Sequence, residues 1–597
     1  MKRILLILGL FLCTYTMFAQ ESFMVKTETH YWDNSRTYNG YTLFGTRGTS
    51  YLIDFEGHVI NTWPLGTSPR FTEAGTLLDA VGGNPSNQNS WEELDWNGNI
   101  VWQYTESRTN YHGHHDFAKI YNPKLGDSTF IYIANKDLTS AQCLAAGCDT
   151  TQTYTNPQMD AIVEVNRAGK VIWEWWFFNH VVQDKYPSKP NFGVVASSPG
   201  KINLNIAGNT VKSDWLHCNS LDYNQDKDLI VINSVHGEFY IIDHGNTFVA
   251  NDSAASITLA ASTAGDFLYR FGDPAKYNQG SPPSVATNWE KATAGNKQIG
   301  GAHDIQWIKA GLPGAGNLLV FNNAENLFEL TPQSYIVEIN PYLTSTGSTS
   351  TTFVNPPTAG YNVVSSPDGN LMKEKKNVSK QIVWMYSSKN NTSFYNTIGG
   401  SAQRLPNGNT LICSMNDGHF FEVAPSDTSV VWEYYNPMTR DGIKKVKVDN
   451  YPTYNGVFRA YRYTATDPAL NGQDLTPGNT MTGSTPNYLT PTDLTFVKEY
   501  DQPKKSGDVL NQNHPNPFSS STTIEFSITE PKLVNLEVFD FNGSHVKTLV
   551  NRNYSQGSYS VTWNGTNDSG SKVASGKYIY ILKGNNEQLS KKMILIK

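Results

Sequence analysis

Three histidines stand at matching places in different repeats of this chain. His115 lies in HHDFAKI, His217 in WLHCNSL and His303 in HDIQWI, each at the start of an alternating apolar segment. A fourth matching segment, SAQRLPNGNTLIC, carries Arg404 instead. A neutral imidazole is a competent nucleophile near neutral pH, and a guanidinium stabilises anionic oxygens. These residue types predict transfer of an anionic group if the four positions converge.

A metal site is the alternative for the same histidines. His112, His114 and His115 crowd together, and imidazoles favour zinc or copper. The carboxylates that would complete a ligand set are not evident, and the sequence has no CxxC pair. We therefore predict no metal and no cofactor. Cys143 and Cys148 could form a local disulfide in an oxidising compartment.

The elements that position these residues follow from a repeat. A turn, an alternating apolar run and an aromatic residue recur six times, and a preceding alternating run completes a hairpin each time. The aromatic ends are Trp63, Trp102, Trp173, Tyr269, Trp384 and Trp432. A second pair of runs lies upstream of most hairpins. Four strands in six repeats predict an all-β, six-bladed β-propeller, with a β-sandwich as the alternative.

Unequal spacing between the repeats indicates loop insertions at 182–213, 249–263, 273–298 and 342–379. Strand-like sequence before the first hairpin and after the last predicts that one end of the segment closes the ring by completing a blade. Matching places on inner strands face one axis. We therefore expect His115, His217, His303 and Arg404 to line one pocket at the mouth of the central channel.

The ends of the 597-residue chain indicate export. Lys2 and Arg3 precede an apolar run too short to span a membrane, which predicts a signal peptide at 1–19. A lipoprotein signal at Cys13 is the alternative. No later segment is apolar enough to cross a bilayer. The net charge of −7, without a basic run in the body of the chain, excludes a nucleic-acid partner.

The remaining boundaries place the propeller at 20–475, a Thr/Pro/Gly/Asn-rich linker at 476–507 and a C-terminal module at 508–597. The alternating segments TTIEFSI, VNLEVFDF, YSVTW and KYIYIL predict a small Ig-like β-sandwich. Its motifs HPNPF, FDFNG and SGKYIYIL resemble the C-terminal sorting domain of the type IX secretion pathway. That resemblance implies the type IX machinery as a partner and a secreted or cell-surface location. A generic carbohydrate-binding or Ig-like module is the alternative.

The propeller motifs carry a second resemblance. WLHCNSLDYN, YRFGDP, GGAHDIQWI, GNLLVFNN, QRLPNGNTLI and VFRAYRY resemble the arylsulfotransferase family over roughly 38–475. The resemblance implies transfer of a sulfo group from an aryl sulfate to a phenol through a histidine intermediate, without the nucleotide donor PAPS. It implies catalytic roles for His115, His217, His303 and Arg404, substrate-binding roles for Asn219, Asn322 and Trp307, and aromatic walls from Trp215, Trp307, Tyr104 and Phe394.

Two departures from the family pattern leave the nucleophile open. Ala402 or Gln403 stands where the nucleophilic histidine is sought, which leaves His115 and the later His419 as alternatives. The arginine expected after GNLLVFNN is replaced by the run Ala-Glu-Asn at 324–326. The alternative functions are a non-catalytic surface propeller that binds a ligand or partner, and a metal-dependent lyase or hydrolase.

Overall fold

The computed structural model describes residues 28–491 and 508–596 apart from internal gaps. The gaps are 83–85, 87, 207–210, 281–296, 324–332, 357–360, 363–377, 389–393, 441, 444–454, 487, 489, 541–543 and 585–586. The predicted signal peptide at 1–19 and the segment 324–326 lie outside the described residues. The chain divides into two compact units, one ending at Tyr488 and the other containing the C-terminal module.

The first unit is built from short strands with two short helices, α1 (Ser140–Ala146) and α2 (Ser253–Ala260). Its first strands are β1 (Glu28–Trp32), β2 (Tyr41–Thr46), β3 (Thr49–Ile53), β4 (Val59–Trp63), β5 (Arg70–Phe71), β6 (Leu77–Ala80), β7 (Ser90–Leu94), β8 (Ile100–Thr105), β9 (Tyr111–Asn122), β10 (Asp127–Asp137), β11 (Gln158–Val165) and β12 (Val171–Trp176). The next are β13 (Val181–Val182), β14 (Ile202–Asn203), β15 (Cys218–Asn224), β16 (Leu229–Ser234), β17 (Glu238–Asp243), β18 (Tyr269–Phe271), β19 (His303–Trp307), β20 (Leu318–Asn322), β21 (Tyr335–Ile339) and β22 (Tyr361–Asn362). The last are β23 (Val378–Ser379), β24 (Ile382–Tyr386), β25 (Ser401–Arg404), β26 (Thr410–Ser414), β27 (His419–Val423), β28 (Val430–Tyr435), β29 (Met438–Thr439), β30 (Gly442–Ile443) and β31 (Ala460–Tyr463).

Six antiparallel sheets form the six blades of a β-propeller, as the repeat predicts. In strand order, blade 1 is β31-β2-β3-β4, blade 2 is β5-β6-β7-β8 and blade 3 is β9-β10-β11-β12. Blade 4 is β15-β16-β17-β18, blade 5 is β19-β20-β21-β24 and blade 6 is β25-β26-β27-β28. The first strand of each blade is its inner strand, and β9, β15 and β19 contact one another in sequence around the axis. The predicted insertion at 182–213 contains the end of β13 and all of β14, that at 249–263 contains α2, and that at 342–379 contains β22 and β23.

One end of the propeller segment closes the ring by completing a blade, as predicted. The late strand β31 pairs with β2, Tyr461 opposite Leu43, and supplies the inner strand of blade 1. The early strand β1 pairs with β28, Trp32 opposite Trp432, and adds a fifth strand to blade 6. Closure by strands from distant parts of the chain removes the open sheet edge that an unclosed ring would expose.

The aromatic residue that ends each repeat fastens its blade to the next one. Five of the six donate a side-chain hydrogen bond into the following blade. The bonds run from Trp63 to Asp95 O at 3.0 Å, Trp102 to Arg167 O at 2.9 Å, Trp173 to Thr247 Oγ1 at 3.1 Å, Tyr269 to Gln381 Oε1 at 2.8 Å, and Trp432 to Phe55 O at 3.0 Å. Trp384 instead lies under the guanidinium of Arg404, 4.9 Å from its carbon to the ring centre. The repeat therefore marks interfaces between blades as well as strands.

The end of the first unit lies later than the predicted boundary at residue 475. Gly478 N donates to Val59 O at 3.0 Å, and Val59 N donates to Asn479 O at 3.0 Å. Met481 is buried against the core between blades 1 and 6. Polar composition predicted a linker here, but backbone hydrogen bonding to the edge of blade 1 holds this segment on the propeller.

The second unit is a small all-β sandwich. Its strands are β32 (Val509–Leu510), β33 (Thr522–Ile528), β34 (Lys532–Asp540), β35 (His545–Tyr554), β36 (Gly557–Trp563), β37 (Gly576–Gly584) and β38 (Glu587–Leu595). They form a three-stranded sheet, β32-β33-β36, and a four-stranded sheet, β35-β34-β37-β38. Trp563, Phe526 and Leu536 lie in the single apolar core of this unit. Among the described residues of the whole chain, no helix has both the length and the apolar character needed to cross a membrane.

Candidate active site at the mouth of the propeller

The inner strands of blades 3, 4 and 5 begin with irregular backbone. His115, His217 and Asp304 have positive φ angles of 55°, 46° and 51°, which are uncommon for residues other than glycine. The pairing register of each inner strand shifts at the same place. Bulges of this kind re-aim side chains and cluster near functional sites. Backbone irregularity therefore lies at or beside each of the three matched histidines.

The structure brings His115 and His217 into direct contact. Their Nε2 atoms are 3.1 Å apart, and Nδ1 of His217 lies 2.6 Å from Oδ2 of Asp214. The side chain of His217 is 31% exposed, whereas His115 is 5% exposed. His217 is thus the imidazole that this pair presents to solvent.

The protonation of the pair follows from its partners. Asp214 accepts a hydrogen bond from Nδ1–H of His217, which leaves the lone pair on Nε2. Nε2–H of His115 then donates to that lone pair, and Nδ1 of His115 has no hydrogen-bond partner among the described residues. Burial, with the neighbouring His114, His217 and His303, holds the pKa of His115 well below its usual range. His115 is therefore a neutral donor.

His303 completes the predicted trio around an aromatic ring. Phe458 stacks on His115 with 6.1 Å between ring centres and meets the edge of His303 at 6.5 Å. Nδ1 of His303 lies 2.9 Å from Gly301 O and 2.8 Å from Oδ1 of Asn323, both of which are acceptors. Burial lowers the pKa of His303 to about 4. This histidine is neutral, with its lone pair on Nε2.

A second layer of polar residues supports His217. His114 Nδ1 lies 3.0 Å from Cys218 O, and its Nε2 lies 3.5 Å from Oδ1 of Asp214. Burial lowers the pKa of His114, but the hydrogen bond and charge of Asp214 outweigh burial and raise it. Bonds to His114 and His217 hold the pKa of Asp214 well below its usual range despite burial. Burial raises the pKa of Asp160 behind His114 to about 7.

Sequence analysis missed Asp214 and Asp160. Asp214 stands three residues before His217 in DWLH, and its own left-handed conformation, φ 53°, turns the chain back toward that histidine. The three-residue spacing could have identified Asp214 from the sequence, because a carboxylate three residues before a histidine can orient its ring through a tight turn. Asp160 carried no such signal, because it reaches the site from β11.

A buried ionic layer lies one residue further along the inner strands. Asp116 Oδ1 is 2.9 Å from Nη1 of Arg459 and 2.6 Å from Nη2 of Arg70. Asp304 Oδ1 is 3.2 Å from Nε of Arg459 and accepts a hydrogen bond from the Tyr461 hydroxyl at 3.0 Å. These residues come from blades 1, 2, 3 and 5. The layer lies directly behind the histidines, and its ion pairs connect the inner strands of these blades.

Arg404 is not part of this site, contrary to the prediction. It lies in the interface between blades 5 and 6, where Nη2 is 2.7 Å from Oε2 of Glu338 and the guanidinium covers Trp384. The cause is its position at the end of β25, where the strand has moved away from the mouth. Arg459, in the VFRAYRY motif, is the arginine that reaches the axis.

The structure places the predicted substrate-binding residues in buried contacts. Asn219 is fully buried and donates from Nδ2 to Ala302 O at 2.8 Å. Asn322 is also fully buried and accepts from Gly300 N at 2.9 Å. Both brace the turn that presents His303. Trp307 lies in the core between blades 4 and 5.

The predicted aromatic walls belong to the packing between blades. Trp215, Tyr104 and Phe394 lie in or against apolar cores between blades. Long aromatic side chains at alternating positions fill these interfaces, so their sequence pattern did not separate wall from core. Phe458 is the aromatic residue that faces the histidines.

Two sets of side chains place possible metal ligands together. In each set, one donor atom from every residue lies within 4.8 Å of the others. The sets are His114 with His115 and His217, and His114 with Asp160 and Asp214. The first set provides three nitrogen donors beside a solvent-exposed edge.

Two family models match the sequence. The model described as arylsulfotransferase (ASST) matches residues 46–340, just under half of the chain, and the FlgD Ig-like domain matches residues 516–588. The first match spans His115, His217 and His303 and ends before Arg404. It supports an arylsulfotransferase-like function for the propeller, in a family that does not use PAPS. The second identifies an Ig-like domain in the C-terminal module.

Comparison with curated proteins gives no match. Among solved structures, a protein of unknown function from Bacteroides caccae is 10% identical, covering 71% of this chain and 99% of its own, with a TM-score of 0.33. The Cps50 (Swd1) β-propeller domain of Myceliophteria thermophila is 11% identical, covering 69% and 87%, with a TM-score of 0.30. FlgD from Xanthomonas campestris is 26% identical, covering 15% and 66%, with a TM-score of 0.12.

Proposed function

Because residues 46–340 match the arylsulfotransferase family model, we propose that the propeller transfers a sulfo group from an aryl sulfate to a phenol, with His217 as the nucleophile. The observation that carries this assignment is the pair formed by Asp214 and His217, 2.6 Å apart at Oδ2 and Nδ1. The carboxylate fixes the tautomer that leaves the Nε2 lone pair for attack. His217 is also the most exposed imidazole of the trio.

In the first half-reaction, Nε2 of His217 attacks the sulfur of the aryl sulfate. An N–S bond forms, the ester S–O bond breaks, and the phenolate leaves with the electron pair. The sulfated imidazole carries a positive charge, and the adjacent carboxylate of Asp214 offsets it. Phe458, beside His115 and His303, provides a flat apolar surface for the aryl ring.

In the second half-reaction, the oxygen of a phenolic acceptor attacks the same sulfur. The N–S bond breaks and its electron pair returns to Nε2 of His217. The acceptor must lose its proton to solvent. The Nε2 lone pair of His303, whose Nδ1–H is bonded to Gly301 O and Asn323 Oδ1, can accept a hydrogen bond from the acceptor hydroxyl. Nε2–H of His115 positions the His217 lone pair between turnovers.

The test is sulfo transfer by the purified full chain from 4-nitrophenyl sulfate to a phenol, without any nucleotide donor. We expect release of nitrophenolate that His217→Ala abolishes and that the control His112→Gln leaves unchanged. His112 is an exposed neighbour on β9, where it pairs with Asp137 at 3.2 Å. Mass spectrometry of the enzyme quenched with donor alone should find one sulfo group on the peptide that contains His217. A sulfo group on another residue, or turnover that survives His217→Ala, excludes this nucleophile.

A non-catalytic binding propeller is the second candidate, favoured by the engagement of Arg404 with Glu338 away from the site. Under this alternative, aryl sulfates bind at the mouth without turnover. Binding of 4-nitrophenyl sulfate that His217→Ala weakens, with no nitrophenolate released over hours, would support it and exclude transfer.

We also propose that the chain is exported, with residues 1–19 as the signal peptide and the C-terminal module as a type IX sorting signal. The supporting observations are the motifs HPNPF, FDFNG and SGKYIYIL and the independent core of the sandwich. Expression in a bacterium that has the type IX machinery tests this. Deleting 508–597 should retain the propeller in the periplasm, and surface or medium localisation of the truncated chain would contradict the proposal.

A further inference from the structure

Three imidazoles at the mouth are mutually in contact. The ring centres of His114 and His115 are 4.3 Å apart, those of His115 and His217 are 4.8 Å apart, and those of His114 and His217 are 5.0 Å apart. One nitrogen from each lies within 4.8 Å of the other two. Sulfo transfer as proposed uses His217 and His115 but gives His114 no contact with substrate.

The outer contacts of two rings are those of metal-ligating histidines. Such histidines generally donate their second ring N–H to a carboxylate or a backbone carbonyl, which fixes the coordinating nitrogen. Nδ1 of His217 bonds to Asp214 at 2.6 Å, and Nδ1 of His114 bonds to Cys218 O at 3.0 Å. In His217 Nε2 is therefore the nitrogen left to coordinate. In His114 it is also Nε2, which lies 3.5 Å from Oδ1 of Asp214 and gives up that contact to the ion.

The third ring has the matching separation. Nε2 of His115 lies 3.1 Å from Nε2 of His217. Two nitrogens bound at about 2.0–2.1 Å to one tetrahedral metal are separated by roughly 3.3 Å, so a small rotation of either ring admits an ion. The His115 ring is 5% exposed, and its Nδ1 has no hydrogen-bond partner among the described residues. Rotation of the His115 ring would exchange the contacts of its Nε2 with His217 and, at 3.4 Å, with Ser86 Oγ for the metal.

We propose that His114, His115 and His217 bind one divalent transition-metal ion, with zinc the favoured metal. Three imidazole donors suit zinc, and the exposed side of His217 leaves a fourth position open to water or an anion. Asp214 and the Cys218 carbonyl hold two of the ligands from behind.

We further infer, on the basis of the proposed function, that metal binding at these histidines blocks sulfo transfer. The Nε2 lone pair of His217 is the one that attacks sulfur, and coordination occupies it. A zinc-loaded propeller is therefore inactive in sulfo transfer until the metal is removed by a chelator. This assigns the cluster two exclusive states, one loaded with metal and one competent for transfer.

The experiment titrates Zn²⁺ into the metal-stripped full chain against a chromophoric chelator. We expect one equivalent to bind, at least tenfold more weakly in His217→Gln and in His115→Gln, and with unchanged affinity in His112→Gln. Unfolding curves of each variant establish that it is folded. Co²⁺ should give the wild type the visible absorption of a four-coordinate site. The double variant, which combines His115→Gln with His217→Gln, should lack that absorption.

The outcomes separate the two claims. Absence of stoichiometric binding, or binding that the double variant retains at full affinity, overturns the metal site whatever the enzyme activity is. Stoichiometric binding that the variants lose establishes the site even if the protein never transfers a sulfo group. Where the stripped protein turns over 4-nitrophenyl sulfate, turnover that survives saturating Zn²⁺ overturns the inhibitory role alone.

Discussion

His244 joins blades 3 and 4 through two carboxylates, and this arrangement makes the stability of the propeller depend on pH. Its Nδ1 lies 2.5 Å from Oδ1 of Asp228, and its Nε2 lies 3.0 Å from Oε2 of Glu164. The ring is fully buried. Burial lowers the pKa of His244, but its bonds to Asp228 and Glu164 outweigh burial and raise the pKa from 6.5 to about 9.

The sign follows from proton binding. Between pH 6.5 and 9 the folded protein holds a proton on His244 that the unfolded chain has released, so stability falls as pH rises through this window. The contribution is fully present below pH 6.5 and lost above about pH 9. A shift of this size corresponds to about 3 kcal/mol, since one unit is worth about 1.4 kcal/mol.

The perturbation is His244→Gln, which keeps a polar side chain but cannot carry the proton. Urea unfolding followed by tryptophan fluorescence, at intervals from pH 6 to pH 10, gives the free energy of unfolding of wild type and variant. We expect the stability advantage of the wild type to shrink by about 3 kcal/mol between pH 6.5 and 9. His112→Gln is the control, and wild-type and His244→Gln curves that stay parallel across this window would refute the reasoning.

Three further outcomes are expected. Asp214→Asn should lower kcat for 4-nitrophenyl sulfate by about 100-fold or more with little change in folding, because the amide no longer fixes the His217 tautomer. Steady-state kinetics, with the melting temperature as the folding control, test this, and an unchanged kcat contradicts it. Arg459→Gln should lower the free energy of unfolding by about 3–5 kcal/mol, because Asp116 keeps a buried charge without this partner; urea titration measures it, and a loss under 1 kcal/mol argues against a structural layer. Phe458→Leu should raise KM for aryl sulfates several-fold more than it lowers kcat, whereas equal effects on both would remove Phe458 from substrate binding.

The architecture was predictable because its physical causes are local. Alternating strands and polar turns are visible in short windows, and the aromatic residue of each repeat revealed the number of blades before any contact was known. The strand that closes the ring was harder to predict, because the pairing of β31 with β2 joins residues more than 400 positions apart. Local sequence also placed the end of the propeller too early, because a polar segment that adds backbone hydrogen bonds to a blade looks like a linker.

The candidate site was predictable where repeat position decides geometry. His115, His217 and His303 lie at or beside backbone irregularities of three inner strands, and the structure brings them together. The prediction for Arg404 was wrong because β25 leaves the propeller axis within four residues. The end of this strand therefore faces blade 5, where Arg404 contacts Glu338. Arg459 lies in the motif VFRAYRY and supplies the guanidinium that we had expected from Arg404. Its role was not predicted because it is far in sequence from His115, His217 and His303.

The buried layer of Asp116, Asp304 and Arg459 has a kinetic consequence for a two-substrate reaction. This buried layer lies directly behind the histidines in the part of the chain that the structure describes. For sulfo transfer as proposed, we therefore expect the departing phenol to leave by the route that the incoming phenol takes. The two compete for one space, and a high concentration of the released phenol should slow the forward reaction by returning the sulfo group to the molecule that lost it.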